Sequence, residues 1–80
     1  MRMLVDEIKV DVEAMGIKIR ELMILNHHSV EDFANGTGLS KSAIRNYING
    51  KNPPSLQNIG VISKFYHVSV ADIIIYRREN

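Results

Sequence analysis

Apolar residues recur at helical spacing along most of this chain, and the runs are broken at serine, glycine and proline. Met15, Ile19 and Leu22 predict a first helix from about Glu13 to Asn26. A second opens at Ser29, where Ser29 to Asp32 resembles a capping box with Asp in place of the usual Glu or Gln. Ser40 caps a third, which turns Ile44, Tyr47 and Ile48 inward and stops at Asn49-Gly50. Lys51-Asn52-Pro53-Pro54 is a loop, because neither proline can continue a helix. Ser55 caps a fourth helix, with Leu56, Ile59, Ile62 and Tyr66 expected to face inward. Ser69 to Asp72 repeats the cap before a fifth helix through Ile73 and Ile74. The pattern predicts an all-α fold, a compact five-helix bundle preceded by an arm. In that arm, Ile8, Val10 and Val12 alternate with charged residues as in a strand. Leu4, Ile8, Val12 and Met15 equally fit a helix face, so spacing leaves both forms open.

The junction between the second and third helices carries the chemistry. Ala34 permits close approach, and Gly38 supplies the positive φ of a tight turn at no steric cost. Lys41, Ser42, Arg45, Asn46 and Asn49 are left outward on the third helix, as donors suited to bases and phosphates. Net charge is only +1, but its distribution is uneven. Residues 1–32 hold four Lys and Arg against seven Asp and Glu, whereas residues 33–71 hold Lys41, Arg45, Lys51 and Lys64 and no acid. A polyanion would select such a segment. Amides at the starts of the second and third helices can hold phosphates as well.

Size and composition narrow the class. Eighty residues make one domain, in which an enclosed catalytic pocket is hard to build. The absence of cysteine removes disulfides and thiolate metal sites and is compatible with a reducing cytoplasm. No stretch approaches the roughly 18 apolar residues of a membrane span. His27-His28 with Glu31 and Asp32 would have to interrupt a helix cap to bind metal, so no metal site is expected. Asn35-Gly36-Thr37-Gly38 lacks the lysine and spacing of a phosphate-cradling loop. No nucleophile, base and acid stand together. No enzyme activity, cofactor or small-molecule substrate is expected.

From Lys18 to Ile74 the chain resembles the phage-repressor and Cro-type (Xre-like) helix-turn-helix family. Lys18 to Leu22 looks like the family's helix-1 opening, Ser29 to Ala34 its Ser-Gln-x-x-Leu-Ala, and Gly38-Leu39-Ser40 its Gly-Val-Ser turn. Asn49-Gly50-Lys51 and Pro54-Ser55-Leu56 resemble its loop into helix 4, and Val68-Ser69-Val70 with Ile73-Ile74 its finish. The resemblance implies a cytoplasmic transcriptional regulator that binds double-stranded DNA as a homodimer, through helix 3 in the major groove of a palindromic operator. Lys41, Ser42, Arg45 and Asn46 then fall at base-reading positions, and Ser40, Asn49, Lys51 and Asn52 at phosphate-binding ones. Helix 5, with Ile73, Ile74, Ile75 and Tyr76, is the expected dimer surface.

Departures from the family pattern qualify that expectation. Val30 replaces a phosphate-contacting Gln, and Asn35-Gly36-Thr37 is a poor helix ending that could fray. Met23-Ile24-Leu25 replaces charged residues, and Phe65 a small one. These apolar side chains either seek a partner or lie under the arm. His27 and His67 stand where the family has helix-ending glycines, and His28 stands where it has a core leucine. The expected division is an arm over residues 1–14, a DNA-binding domain over 15–76 and a polar tail over 77–80. The alternative keeps the fold but makes protein binding the task, as in an antitoxin or anti-repressor using the helix-1 apolar patch.

Overall fold

The computed structural model describes residues 8–78. In chain order the elements are β1 Ile8–Val10, α1 Val12–Leu25, α2 Val30–Thr37, α3 Lys41–Ile48, α4 Leu56–Tyr66, α5 Val70–Ile73 and β2 Tyr76–Arg78. Five helices carry the fold, as the spacing predicts, and two short strands join its ends. β1 runs antiparallel to β2, with Val10 opposite Tyr76 and Ile8 opposite Arg78.

The described part of the arm is a strand followed at once by a helix. Asp11 ends the strand and caps α1, its carboxylate accepting from the Ala14 amide at 3.0 Å. The Asp11 amide donates to the Ile75 carbonyl at 2.7 Å. Val12 to Ala14 therefore belong to α1 rather than to the arm, and residues 1–7 lie outside the described residues. The expected tail is corrected too, since Arg77 and Arg78 are strand residues.

Serine starts every other helix. Hydroxyls of Ser29, Ser40, Ser55 and Ser69 accept from the amides of Asp32, Ala43, Asn58 and Ala71 at 3.0–3.1 Å. Caps of this kind contribute about 1 kcal/mol each relative to alanine. Helix ends follow the sequence as well. Gly38 closes α2 at φ 80°, and His27 and His67 occupy the left-handed region at φ 56° after α1 and α4. The Asn35-Gly36-Thr37 ending is helical through Thr37. Thr37 donates its hydroxyl to the Phe33 carbonyl at 2.7 Å and accepts from the Leu39 amide at 3.2 Å, which holds the last turn.

The core is built from Met15, Ile19, Leu22 and Met23 of α1, Phe33 of α2, Ile44 and Tyr47 of α3, Ile59, Ile62 and Tyr66 of α4, and Ile73. Burying a side chain such as Phe33 contributes roughly 1.5–3 kcal/mol. Two departures from the family pattern explain each other. Gly36 has no Cβ, and one placed there would overlap the ring of Phe65. The missing atom in α2 is the space into which the larger residue of α4 fits. Phe65 stacks on Phe33 at 5.9 Å and on His28 at 5.4 Å. His28 plugs the α1–α2 corner, its Nδ1 3.0 Å from the Tyr66 hydroxyl. Burial pushes that phenol up to about 12, so it stays protonated as a hydrogen-bonding group.

Three expectations about apolar residues are corrected. Ile73 is 0% exposed in the chain's own core, so it cannot form a dimer surface. α5 ends there, Ile74 turns extended at ψ 114°, and Ile74 and Ile75 are half-buried against the core; of that expected set only Tyr76 is exposed. Leu56, expected inward, is 74% exposed. It is the first residue of α4, and helical side chains lean toward the N-terminus, which carries this one past the edge of the core. Finally, Met23 turns into the core while Ile24 and Leu25 remain exposed, and no described part of the arm covers them.

Candidate nucleic-acid interface

Every residue expected at the interface lies between Ser40 and Asn52, on α3 and the loop that leaves it. Ile44 and Tyr47 anchor the inner face of α3. Lys41, Ser42 and Arg45 are thereby turned to solvent, and Asn46 is half-buried beside them. Ser40, Asn49, Lys51 and Asn52 are exposed at the two ends of the helix. The hydroxyl of Ser40 is the helix cap, and it retains its proton for an acceptor outside the chain.

Hydrogen bonds tie the outgoing loop to the helix. The Asn49 amide donates to the Arg45 carbonyl at 3.0 Å and the Gly50 amide to Tyr47 at 3.1 Å. The Asn46 carbonyl receives the amides of Lys51 and Asn52 at 2.9 and 3.4 Å. Gly50 at φ 68° makes the reversal possible. Lys51 and Asn52 are thus held at a fixed offset from Lys41 and Arg45.

The first turn of α3 contains no acid and begins with Lys41, so its exposed amides and dipole favour an anion. The start of α2 does not share this property, which corrects the expectation for that helix. There the Asp32 carboxylate accepts from the Ser29 amide at 2.9 Å while Ser29 accepts from Asp32, and Glu31 adds a second carboxylate. The backbone hydrogen bond from Ser29, helped by its hydroxyl, holds the Asp32 carboxyl below its ordinary value of 3.8. That helix end carries two carboxylates of its own, which makes it a poorer place for a phosphate than the start of α3.

Two supporting contacts escaped the sequence reading. Gly16 of α1 lies against the end of α3, where a Cβ would collide with the Tyr47 carbonyl and sit 3.2 Å from that of Ile48 and 3.3 Å from the Gly50 nitrogen. A glycine among good helix formers was the available signal. Asn58 of α4 donates to the Tyr47 hydroxyl at 3.0 Å, bracing α3 from the other side. Nothing in the spacing points to that pair. Among the described residues no group of three potential ligands could hold a metal ion, and no helix is long and apolar enough to cross a membrane.

An exposed helix braced on two sides near its C-terminal end, with a turn at Gly38 leading into it, is the geometry of a DNA-reading module. The helix-turn-helix family profile matches residues 19–73. The chain belongs to the helix-turn-helix family. Within it, the Xre-like type suggested by the sequence is the type matched, a group of DNA-binding transcriptional regulators. This helix-turn-helix chain is 33% identical over 57 residues to the cryptic phage CTXphi transcriptional repressor RstR of Vibrio cholerae. That match covers 71% of this chain and 51% of the relative, so the chain spans about half the length of the curated relative it matches. The crystal structure of the restriction-modification controller protein C.AhdI from Aeromonas hydrophila superposes with a TM-score of 0.73 at 25% identity. The superposition covers 79% of this chain and 96% of the controller.

Proposed function

We propose that this helix-turn-helix protein is a sequence-specific repressor of transcription that reads a palindromic operator in double-stranded DNA as a homodimer. α3 enters the major groove. Lys41 and Arg45 reach guanine O6 and N7, Asn46 pairs with adenine N6 and N7, and Ser42 serves either base. Ser40, Asn49, Lys51 and Asn52 grip the flanking phosphates and fix the register. Two copies would set their reading helices about 34 Å apart, on half-sites one turn apart. Such a protein works in the cytoplasm, where its DNA is.

The observation that carries this reading is the electrostatic asymmetry of the two helices. Acid-free α3 exposes its donors on one face, while acids stand at the starts of α1, α2 and α5. Likeness to a phage repressor supports repression in particular. Capture of sheared genomic DNA from the source organism, with a Lys41→Ala/Arg45→Ala variant beside the parent, tests it. A few enriched palindromic sites should appear and vanish in the variant, with each lost contact weakening binding by about 1–3 kcal/mol and folding unchanged. Equal, diffuse recovery by both proteins would remove α3 as the reader.

A further inference from the structure

Asn35 precedes Gly36 and Asn49 precedes Gly50, and both asparagines are exposed. Asn-Gly pairs are chemically labile, because no glycine side chain shields the following nitrogen from the asparagine amide carbon. The fold treats the two pairs differently. Asn35 and Gly36 lie inside α2, with Gly36 packed against the ring of Phe65. Asn49 is instead the C-cap of α3, and Gly50 follows it in a turn at φ 68°.

We propose that Asn49 is a site of spontaneous deamidation, and that the change puts a negative charge into the DNA-reading surface and shuts it off. The Gly50 nitrogen gives up its proton and bonds to Asn49 Cγ. The Cγ–Nδ2 bond breaks, and ammonia leaves with that proton. Water, the only co-reactant, then opens the five-membered imide. Addition at Cγ breaks the new bond and leaves an aspartate. Addition at the main-chain carbonyl breaks the original peptide bond and leaves an isoaspartate linked through Cγ. The closed turn prevents the first step. At an Asn49 ψ of 2° the Gly50 nitrogen eclipses the Asn49 nitrogen and stands about a third of a turn from Cβ. The ring can therefore form only when the turn opens. Opening here releases the Gly50 amide from the Tyr47 carbonyl at 3.1 Å, at a helix end where neither Asn49 nor Gly50 is buried. Opening at Asn35 would unwind the middle of α2 and disturb the stack of Phe65 on Phe33. Helix ends open locally more readily than packed interiors, so Asn49 reacts first.

The consequence rests on the DNA-reading proposal above, which places Asn49 at the phosphates. A carboxylate at the C-cap opposes the helix dipole and repels phosphate. Glu13 is already close, its Cα and Cγ each 3.2 Å from where a Gly50 Cβ would stand. An isoaspartate also adds a carbon to the main chain, which takes the Lys51 and Asn52 amides out of register with the Asn46 carbonyl that holds them at 2.9 and 3.4 Å.

Ageing the full chain in mildly alkaline buffer, with peptide mapping by mass spectrometry, tests the site. Amide-to-acid conversion should be at least about tenfold faster at Asn49 than at Asn35. Asn49→Gln should lose the fast phase, since its six-membered ring closes far more slowly, and should keep the slow one at Asn35. The converted fraction, separated by ion exchange, should bind duplex DNA at least about tenfold more weakly than the unconverted fraction, and Asn49→Asp should bind weakly without ageing. Equal rates at the two asparagines, or faster conversion at Asn35, would overturn the assignment. A converted fraction that binds DNA as the unconverted one does would overturn the switch. The mass measurement does not depend on DNA. Failure of the unconverted parent to bind duplex DNA would overturn the DNA-reading proposal and the switch with it, and leave the labile site standing.

Discussion

α2 and α3 are both eight residues long, both capped by a serine and both pressed against the same core, yet their first turns carry opposite charge. In α2 the third position after the cap is Asp32, which completes a reciprocal box with Ser29. In α3 the same position is Ala43, and the helix opens on Lys41. The box satisfies an extra backbone donor and suits the helix dipole. Omitting it leaves α3 with less local support and an unneutralised positive end. Local stability is thus concentrated where no ligand is needed and withheld where one is. α3 is supported instead by its neighbours, with Gly16 closing one side and Asn58 the other.

The largest effect should come from breaking that external support. In Gly16→Ala a methyl group meets backbone atoms at the end of α3 that have nowhere to retreat. Overpacking of this kind costs about 3 kcal/mol, and a urea midpoint lowered at constant m value would register it. DNA binding should fall as well in the fraction that stays folded, because α3 and its outgoing loop would be displaced together. An unchanged midpoint would mean that α1 does not set the position of α3.

How much of this was legible follows from the range of each interaction. Caps and turns depend on residues three or four apart, so the serines at 29, 40, 55 and 69, the turn at Gly38 and the left-handed histidines could be read directly. The residues facing outward on α3 could also be placed, because Ile44 and Tyr47 fix which face is buried. Periodicity failed at helix ends. Leu56 has the spacing of a core residue but sits beyond the core, and Ile73 closes the core instead of offering a surface. Pairing of β1 with β2 joins opposite ends of the chain, and no local rule could choose strand over helix for Ile8 to Val10. The mutual fit of Gly36 and Phe65 was visible only as two separate oddities, because each is explained by the other across 29 positions of sequence.

A second substitution turns α3 electrostatically into α2. Ser42→Asp places a carboxylate in the first turn of an exposed helix that has none. Interaction with the helix dipole should raise stability by about 0.3–1 kcal/mol. Operator affinity should fall at least tenfold, or about 1.4 kcal/mol, because the charge would face the phosphates and base edges. Opposite signs from one residue are the informative outcome. If stability and affinity moved together, the missing acid would be incidental to the function of α3.

The smallest effect tests the other half of the comparison through pH. Asp32 has its folded pKa held below 3.8 by the hydrogen bonds from Ser29. For a depressed carboxyl, the folded state binds the proton less readily than the unfolded chain, so the contribution to stability is complete above the unfolded value. It disappears as pH falls through the folded value, which places the loss below about pH 4. Thermal unfolding of the parent between pH 3 and 6 should therefore decline more steeply at the acid end than that of Asp32→Asn, while the two run parallel at higher pH. DNA affinity should be the same in both proteins or slightly higher in the variant, because α2 would carry one carboxylate fewer near the phosphates. A clear loss of affinity would instead mean that the box on α2 orients α3, and that the acid-capped helix acts on the reading surface through its partner.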